Sequence, residues 1–423
     1  MGSPSRGEAR QETQAQLEAP LQQEPRKPAP VRPGRGLARY VAAATLARTA
    51  DGGAVVAIVL MVTASGAPGW IAGLLGACIT APHLLGPLVA RSLDSCRDGR
   101  VLIAWACIVH GATLAAAVLL YPVTWPAVSG LLLVASGLVG PLLTGGISSR
   151  LPAIAGPDRV SQRRAQGWDV ASYGIGGTIG PSVVAAVSAW AGPTAAALIL
   201  AAGTLVAAAV VRLLPYVPPA AVAAEVPRPA QILRLMAVTG RLRRMLYLTV
   251  TVAFAVAALP IAAVASTAMF HVQPAAAGVL TAAYGLGGLA GSAGVMCRPL
   301  RGDADRLVTR LAGLVAAALA VAPLSGSLAP AVAAYAAAGV MNSYFFAATL
   351  AARSEFAPPQ VRGQVFVWVG ALKIAAGSAG TAAAGVVITE EPQLPLFLAA
   401  ALILAVAGAS VLDRRSAAGL ETE

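Results

Sequence analysis

Two charged residues lie where charge is hardest to keep. Arg48 and Asp51 sit inside Leu37–Ser65, LARYVAAATLARTADGGAVVAIVLMVTAS, a stretch with the length and apolarity of a membrane-spanning helix. A charge at bilayer depth costs several kcal/mol unless it faces protein or a wet cavity. Spaced three apart, the pair shares one helix face and is expected to be partly self-neutralising. Gly52 and Gly53 follow and leave room for a neighbouring backbone. Asp51 lies about 18 Å into its helix by the helical rise. A carboxylate there can be neutral when desolvated and charged when water or a cation arrives. That is the chemistry of a proton carrier; a static Arg48–Asp51 pair that orients the helix, or direct cation binding, are the alternatives.

Few other polar groups share that depth. Lys373 falls inside a second apolar run, and its ammonium must either face a cavity or snorkel to the interface. His83 lies about eight residues from the end of its own apolar run and could titrate, or simply be packed. Asn342, Tyr344 and Tyr284 offer uncharged hydrogen-bonding groups to a substrate cavity, Asn342 foremost, with Ser343 and Tyr173 nearby in kind. Asp169 reads as a helix-start acid complementing the dipole, and His110 as structural.

The elements that must hold these residues are set by composition. Of 423 residues, 57% are hydrophobic and 11% charged, against roughly a quarter charged in ordinary soluble domains. With a mean hydropathy of +0.73, the chain has too little polar surface for a water-soluble globule and reads as an all-α, polytopic membrane protein. Apolar runs long enough to cross about 30 Å of hydrocarbon are expected at 69–91, 101–121, 127–147, 167–190, 193–214, 245–270, 274–297, 307–326, 330–351, 365–388 and 394–412. With the first, that makes twelve.

Outside the spans, arginine is unevenly placed. The tail through Arg39 has seven basic residues, and clusters such as Arg91, Arg97 and Arg100, or Arg150, Arg159, Arg163 and Arg164, mark every second loop. The alternate loops SGAPG, YPVTWP and WAGP carry none. By the positive-inside rule both termini are cytosolic, and the bias to arginine with abundant Ala and Gly suggests a GC-rich bacterial genome, hence a bacterial inner membrane. Residues 1–36 are polar and without apolar periodicity, a disordered cytosolic tail, and no cleaved signal peptide is read before the first span. Residues 414–423 form a second cytosolic tail. An offset of 205 aligns Ala72-Gly73-Leu74-Leu75 with Ala277-Gly278-Val279-Leu280, Gly86 with Gly291 and Asp98 with Asp303; an offset of 200 aligns Gly177-x-x-Gly180 with Gly377-x-x-Gly380. The order implies two parallel repeats: six-helix bundles over 37–214 and 245–413, joined by a linker over 215–244. The later linker, PAQILRLMAVTGRLRRML, alternates apolar and basic faces and reads as an interfacial helix or a plain lipid-attracted linker. Pro260 should kink the seventh span.

Several classes are excluded. The charge of +12 is split among loops, which argues against a nucleic-acid surface. Cys78, Cys96, Cys107 and Cys297 form no disulfide framework or CxxC site, and His83, His110 and His271 have no metal-ligand spacing. The chain has two lysines, Lys27 and Lys373, and neither follows a glycine-rich phosphate cradle. No cofactor, no metal and no enzymatic activity are expected.

Twelve spans, both ends inside, two repeats and a basic central loop together resemble the major facilitator superfamily. After the second span, GPLVARSLDSCRDGRVL is similar to that family's glycine–acid–basic signature. The family spaces glycine and acid four apart, whereas Gly86 and Asp94 are eight apart and Ala90 takes the acid's place in that register. The resemblance implies a cytosolic gate loop with Gly86, Asp94 as acid, and Arg97 and Arg100 as its basic partners. Gly176-Gly177-x-x-Gly180-Pro181 resembles the Gly-Pro motif of the family's proton-coupled exporters. The fourth span lacks the arginine that many proton-coupled members carry, and Arg48 is a candidate stand-in. The resemblance covers about 37–413. It implies a monomeric secondary transporter, a proton-coupled exporter of a small amphipathic molecule, working by rocking two bundles about a midplane cavity built on Asp51, Arg48 and Lys373. An importer or uniporter of the same architecture, and a non-transporting membrane sensor or scaffold, are the alternatives.

Overall fold

A computed structural model describes residues 33–218, 227–273, 276–388, 391 and 393–420. Most of the expected 1–36 tail, part of the central linker and the end of the C-terminal tail lie outside the described residues. Those residues form helices and turns without a strand. Eleven helices are long and apolar enough to span a bilayer: α1 (Gly34–Ala64), α2 (Gly69–Ser95), α3 (Gly99–Leu120), α4 (Pro126–Ala155), α5 (Arg159–Arg212), then, after the short α6 (Pro229–Val238), α7 (Gly240–Met269), α8 (Ala277–Cys297), α9 (Ala304–Leu324), α10 (Leu328–Phe356), α11 (Pro359–Val387) and α12 (Leu394–Ser416).

Two expected spans are fused in α5. Its 54 residues would run about 80 Å as one rod, far beyond a bilayer core. Gly192 breaks it, at φ 84° and ψ 160°, a backbone region that glycine enters without steric penalty. Pro193 follows, so the pieces on either side, 159–191 and 193–212, are separately long enough to cross. The break in α7 falls just before Pro260, where helical bonding stops at Ala257 and Ala258. In α4 the helix widens to a π turn over Leu142–Gly146 directly after Pro141. In α2 it tightens to a 3₁₀ turn over Ala81–Leu85, with Pro82 at its start.

Buried apolar side chains fall into separate cores. Two of them draw on residues 40–214, centred on Tyr40, Cys107 and Ile147 and on Ile58, Leu75 and Leu133. A third gathers residues 232–407, including Leu248, Val315 and Tyr335. A small fourth core joins them: Val170 against Val295, Phe346, Leu350 and Phe366. Hydrogen bonds and ion pairs between the two halves, among the described residues, all lie at the ends carrying the arginine-rich loops. Arg159 and Arg163 of α5 pair with Glu355 of α10, Arg164 donates to the Met296 carbonyl, and Asp94 accepts from the backbone of α11.

The linker helix differs from expectation. The apolar residues Ile232 and Met236 of α6 are buried in the third core rather than left for lipid. Trp368 Nε1 donates to the Pro229 carbonyl at 3.0 Å and Gln364 to that of Pro227. The basic residues next to it have partners that periodicity does not reveal: Arg243 and Arg244 pair with Asp413, and Arg244 and Arg414 grip Asp305 at 2.9 Å.

Asp98 caps α3, accepting from the Arg100 backbone at 2.9 Å while pairing with the Arg100 and Arg212 side chains. The Arg100 guanidinium bonded to it holds its carboxyl down at about 2, from an ordinary 3.8. A carboxyl depressed on folding stabilises the protein above its unfolded value and loses that contribution as pH falls through the folded one. Asp98→Asn, which keeps a capping side chain, should therefore unfold in detergent with a deficit of about 1 kcal/mol at neutral pH. The gap to the wild type should close between pH ~4 and ~2; a gap constant across that range contradicts the assignment.

Candidate functional site

Arg48 and Asp51 do not pair with each other. Three residues apart on α1, they point to different neighbours. The Arg48 guanidinium is buried and engaged through both Nη atoms, while its Nε has no partner among the described residues: Nη1 donates to Asp169 Oδ1 at 2.7 Å and to Ser172 Oγ, and Nη2 to Ser148 Oγ at 2.8 Å and the Thr144 carbonyl at 3.3 Å. Its Cζ lies 3.6 Å from the centroid of the Tyr173 ring, within cation–π range. Asp169 in turn accepts from Tyr40 Oη at 2.6 Å and Ser148 Oγ at 2.9 Å. It is not a helix-start acid, because Asp158 caps α5 by accepting from Ser161 N; Asp169 sits three turns further in. A buried ion pair is tolerable only when most of its remaining valences are satisfied, and here α1, α4 and α5 supply all but that of Arg48 Nε. The Thr144 carbonyl lies within the π turn of α4, an irregularity common at functional positions.

Close backbone approach makes this possible. A Cβ on Gly176 would lie 2.7 Å from Arg48 Cβ, and one on Gly180 2.4 Å from the Thr49 carbonyl oxygen. The Gly-Pro segment is thus the surface on which α5 meets α1, and Gly52 answers it from α1, with its own Cβ position 2.9 Å from the Gly176 oxygen.

Asp51 faces a different element. Its Oδ1 lies 3.5 Å from His83 Nε2, with 18% of the Asp51 side chain exposed against 1% for Asp169. The 3₁₀ turn of α2 sets His83, whose Nδ1 is 3.1 Å from the Ile79 carbonyl. A carbonyl only accepts, so Nδ1 carries a hydrogen and Nε2 is left to meet the carboxyl. One proton can then reside on the acid, on the imidazole or be lost from both. Gly140 of α4 closes the other side, its Cβ position 2.4 Å from His83 Nε2. The remaining charges acting on Asp51 are His110 and Arg48. His110 is buried against Ser136 of α4, with Nδ1 3.0 Å from Ser136 Oγ.

In the second half a cavity of about 250 Å³ opens between α7, α8, α10 and α11, lined by Thr249, Tyr284, Asn342, Phe346, Lys373 and neighbouring small residues. Asn342 Nδ2 donates to Tyr284 Oη at 2.8 Å. Lys373 Nζ lies 3.8 Å from the centroid of the Phe346 ring and 5.7 Å from that of Tyr173. Tyr173 therefore has Arg48 and Lys373 both within cation–π range and links the two halves at depth.

Solved structures share this fold. The human organic anion transporter MFSD10 (TETRAN) superposes with a TM-score of 0.69 over 90% of this chain and all of that one, at 17% identity. An outward-facing bacterial homologue of the iron transporter ferroportin gives 0.72 over 90% and 99%, at 13%. The Escherichia coli fucose:proton symporter FucP gives 0.67 over 88% and 98%, at 14%. The chain has the major facilitator fold. In sequence, it is 31% identical over 169 residues to an uncharacterised MFS-type transporter, y4rN, of Sinorhizobium fredii; the match spans 40% of this chain and 41% of that relative. No family model matches the chain.

Within the major facilitator fold the expected residues separate into four places. Asp51 meets His83, so His83 neither lines the cavity nor pairs with Lys373. Asn342, Tyr284 and Lys373 do line it. Tyr344 does not: its hydroxyl lies against Gly294 of α8, because it leaves α10 on the face packed against that helix. At the gate loop, Asp94 Oδ1 and Oδ2 accept from Gly363 N at 2.9 Å and Gln364 N at 2.8 Å, at the start of the α-helical part of α11, where free N–H groups favour an anion. Gly86 lies against Pro141 and Val367. Arg100 is not a partner of Asp94, being held by Asp98; Arg97 makes no side-chain bond to Asp94 either, and offers its carbonyl to Tyr216. The guanidinium beside Asp94 belongs to Arg150, which donates to the Leu93 carbonyl. Sequence reasoning missed Asp169, Tyr173, Ser148 and Glu355 as partners. Asp169 left one signal: it is the only acid in the 167–190 run.

Proposed function

We propose that the chain is a secondary transporter that couples proton movement to the export of a small amphipathic molecule. The observation that carries this reading is the Asp51–His83 pair: an acid and a base at ion-pair distance, at bilayer depth, and partly open to solvent. Such a pair changes its charge with each proton it takes or gives up. The Arg48–Asp169 pair behind it is closed off and serves as the rigid pivot of α1 on α5. The arginine-rich loops support a topology with their ends of the helices, and both termini, on the cytosolic side of a bacterial inner membrane. The inter-half ion pairs among the described residues, all at that end, support a conformation shut toward the cytosol. Asp94 on α11 and Glu355 beneath Arg159 and Arg163 are the contacts that must part for the opposite opening. The two bundles, 37–214 and 245–413, rock as units, and a monomer suffices.

Export is favoured by the Gly-Pro segment of α5, which packs on the helix that carries Asp51. Import has support of its own, since a fucose:proton symporter shares the fold. The experiment uses everted vesicles with an imposed pH gradient and a panel of small amphipathic compounds. At least one compound is expected to collapse the gradient in vesicles holding the protein and not in empty ones, and cells expressing it should accumulate less of that compound. Greater accumulation would move the reading to import. A panel that moves no protons in either direction would end the coupled-transport reading.

A further inference from the structure

We propose that the cavity beside Lys373 binds a small organic anion, its anionic head on Lys373 Nζ and its apolar body against Phe346. This deepens the transporter reading by naming the substrate class and rests on that cavity being the substrate site. Lys373 lies midway along α11, and among the described residues its ammonium has no carboxylate or hydrogen-bond acceptor, only the faces of Phe346 and Tyr173. The charges acting on it are Arg353, Arg48 and Asp169. Asp169 is already consumed by Arg48, Tyr40 and Ser148. Arg353 is buried and likewise lacks an acid, its guanidinium lying 5.8 Å and 5.6 Å from the Phe346 and Phe366 ring centroids.

Arg48, Arg353 and Lys373 thus outnumber Asp169 and the Asp51 that sits with His83 on the other side of Arg48, at a depth where unbalanced charge is strongly disfavoured. A ligand carrying a negative charge corrects the balance; an amine worsens it. Lys373 also offers up to three donors to a carboxylate or sulfonate, and charge-assisted bonds of this kind are the stronger class. Opposite it, Tyr284 and Asn342 supply a hydroxyl and an amide oxygen that can orient a neutral polar group. The remaining wall is apolar, from residues such as Val252, Val256 and Phe345. At about 250 Å³ the space is below the range of drug-sized sites, which fits a single ring or a short branched chain.

The test reads binding rather than transport. Purified full-length protein in detergent is unfolded thermally with benzoate, benzamide or benzylamine as probes, which differ in charge on one ring. Benzoate should raise the unfolding temperature of the wild type, and the other two should not. Lys373→Gln should weaken the apparent benzoate affinity by about tenfold or more, and Lys373→Arg should keep most of it. The proposal is overturned by equal shifts from all three probes, by no shift with benzoate, or by a Lys373→Gln protein that binds benzoate as the wild type does. If that variant does not fold, the comparison of three probes on the wild type still decides. A protein that binds benzoate but moves no protons keeps the anion site and loses the coupled-transport reading; proton movement driven by uncharged compounds alone does the reverse.

Discussion

Asp169→Asn is expected to leave little folded protein. The substitution preserves shape but removes the one carboxylate that faces Arg48, whose guanidinium is 3% exposed and has no water to fall back on. Removing one partner of a buried pair costs about 3–5 kcal/mol because the other charge is stranded. Tyr40 and Ser148 also lose an ionised acceptor. Replacing both ends at once should cost less, since an apolar pair strands no charge and leaves only the Tyr40, Ser148 and Ser172 hydroxyls to find other partners. Arg48→Met with Asp169→Leu is therefore predicted to unfold closer to the wild type than either single variant does. The measurement is a double-mutant cycle on thermal unfolding in detergent. A coupling energy under about 1 kcal/mol would show the pair to be incidental.

Which parts of this were legible beforehand follows from the range of the interaction. Local rules worked where the cause is local. Apolar run length located the crossings, Pro260 located the break in α7, and Gly52 and Gly53 announced a close helix contact. The oddity of Arg48 and Asp51 was visible too, because charge inside an apolar run is conspicuous. Their partners were not. Asp169 is 121 residues from Arg48, and helical spacing makes the nearer Asp51 look like the natural mate. Side-chain direction decides otherwise, since α1 turns Arg48 toward α4 and α5 and Asp51 toward α2. The same limit hid the environment of Lys373. That it lay at depth could be read from α11 alone, but its place over Phe346 and Tyr173 depends on α5 and α10 meeting it. At the gate loop the family resemblance suggested Arg97 and Arg100 for Asp94. The N-cap at Asp98, two residues from Arg100, captured that arginine first.

The largest functional effect belongs to Asp51→Asn. Asp51 is partly exposed and bonded to a single histidine, so losing its charge strands no buried cation and the fold should persist. Asparagine cannot take or release a proton, so the pair with His83 loses its variable charge. Exchange of substrate across the membrane does not require net proton release, whereas uphill movement does. The decisive measurement is therefore made on Asp51→Asn reconstituted in liposomes, with a compound that the wild type transports. The expected result is substrate exchange at a rate near that of the wild type, together with loss of accumulation driven by a pH gradient. Accumulation at the wild-type level in that variant would contradict the assignment of Asp51 as the proton-carrying group.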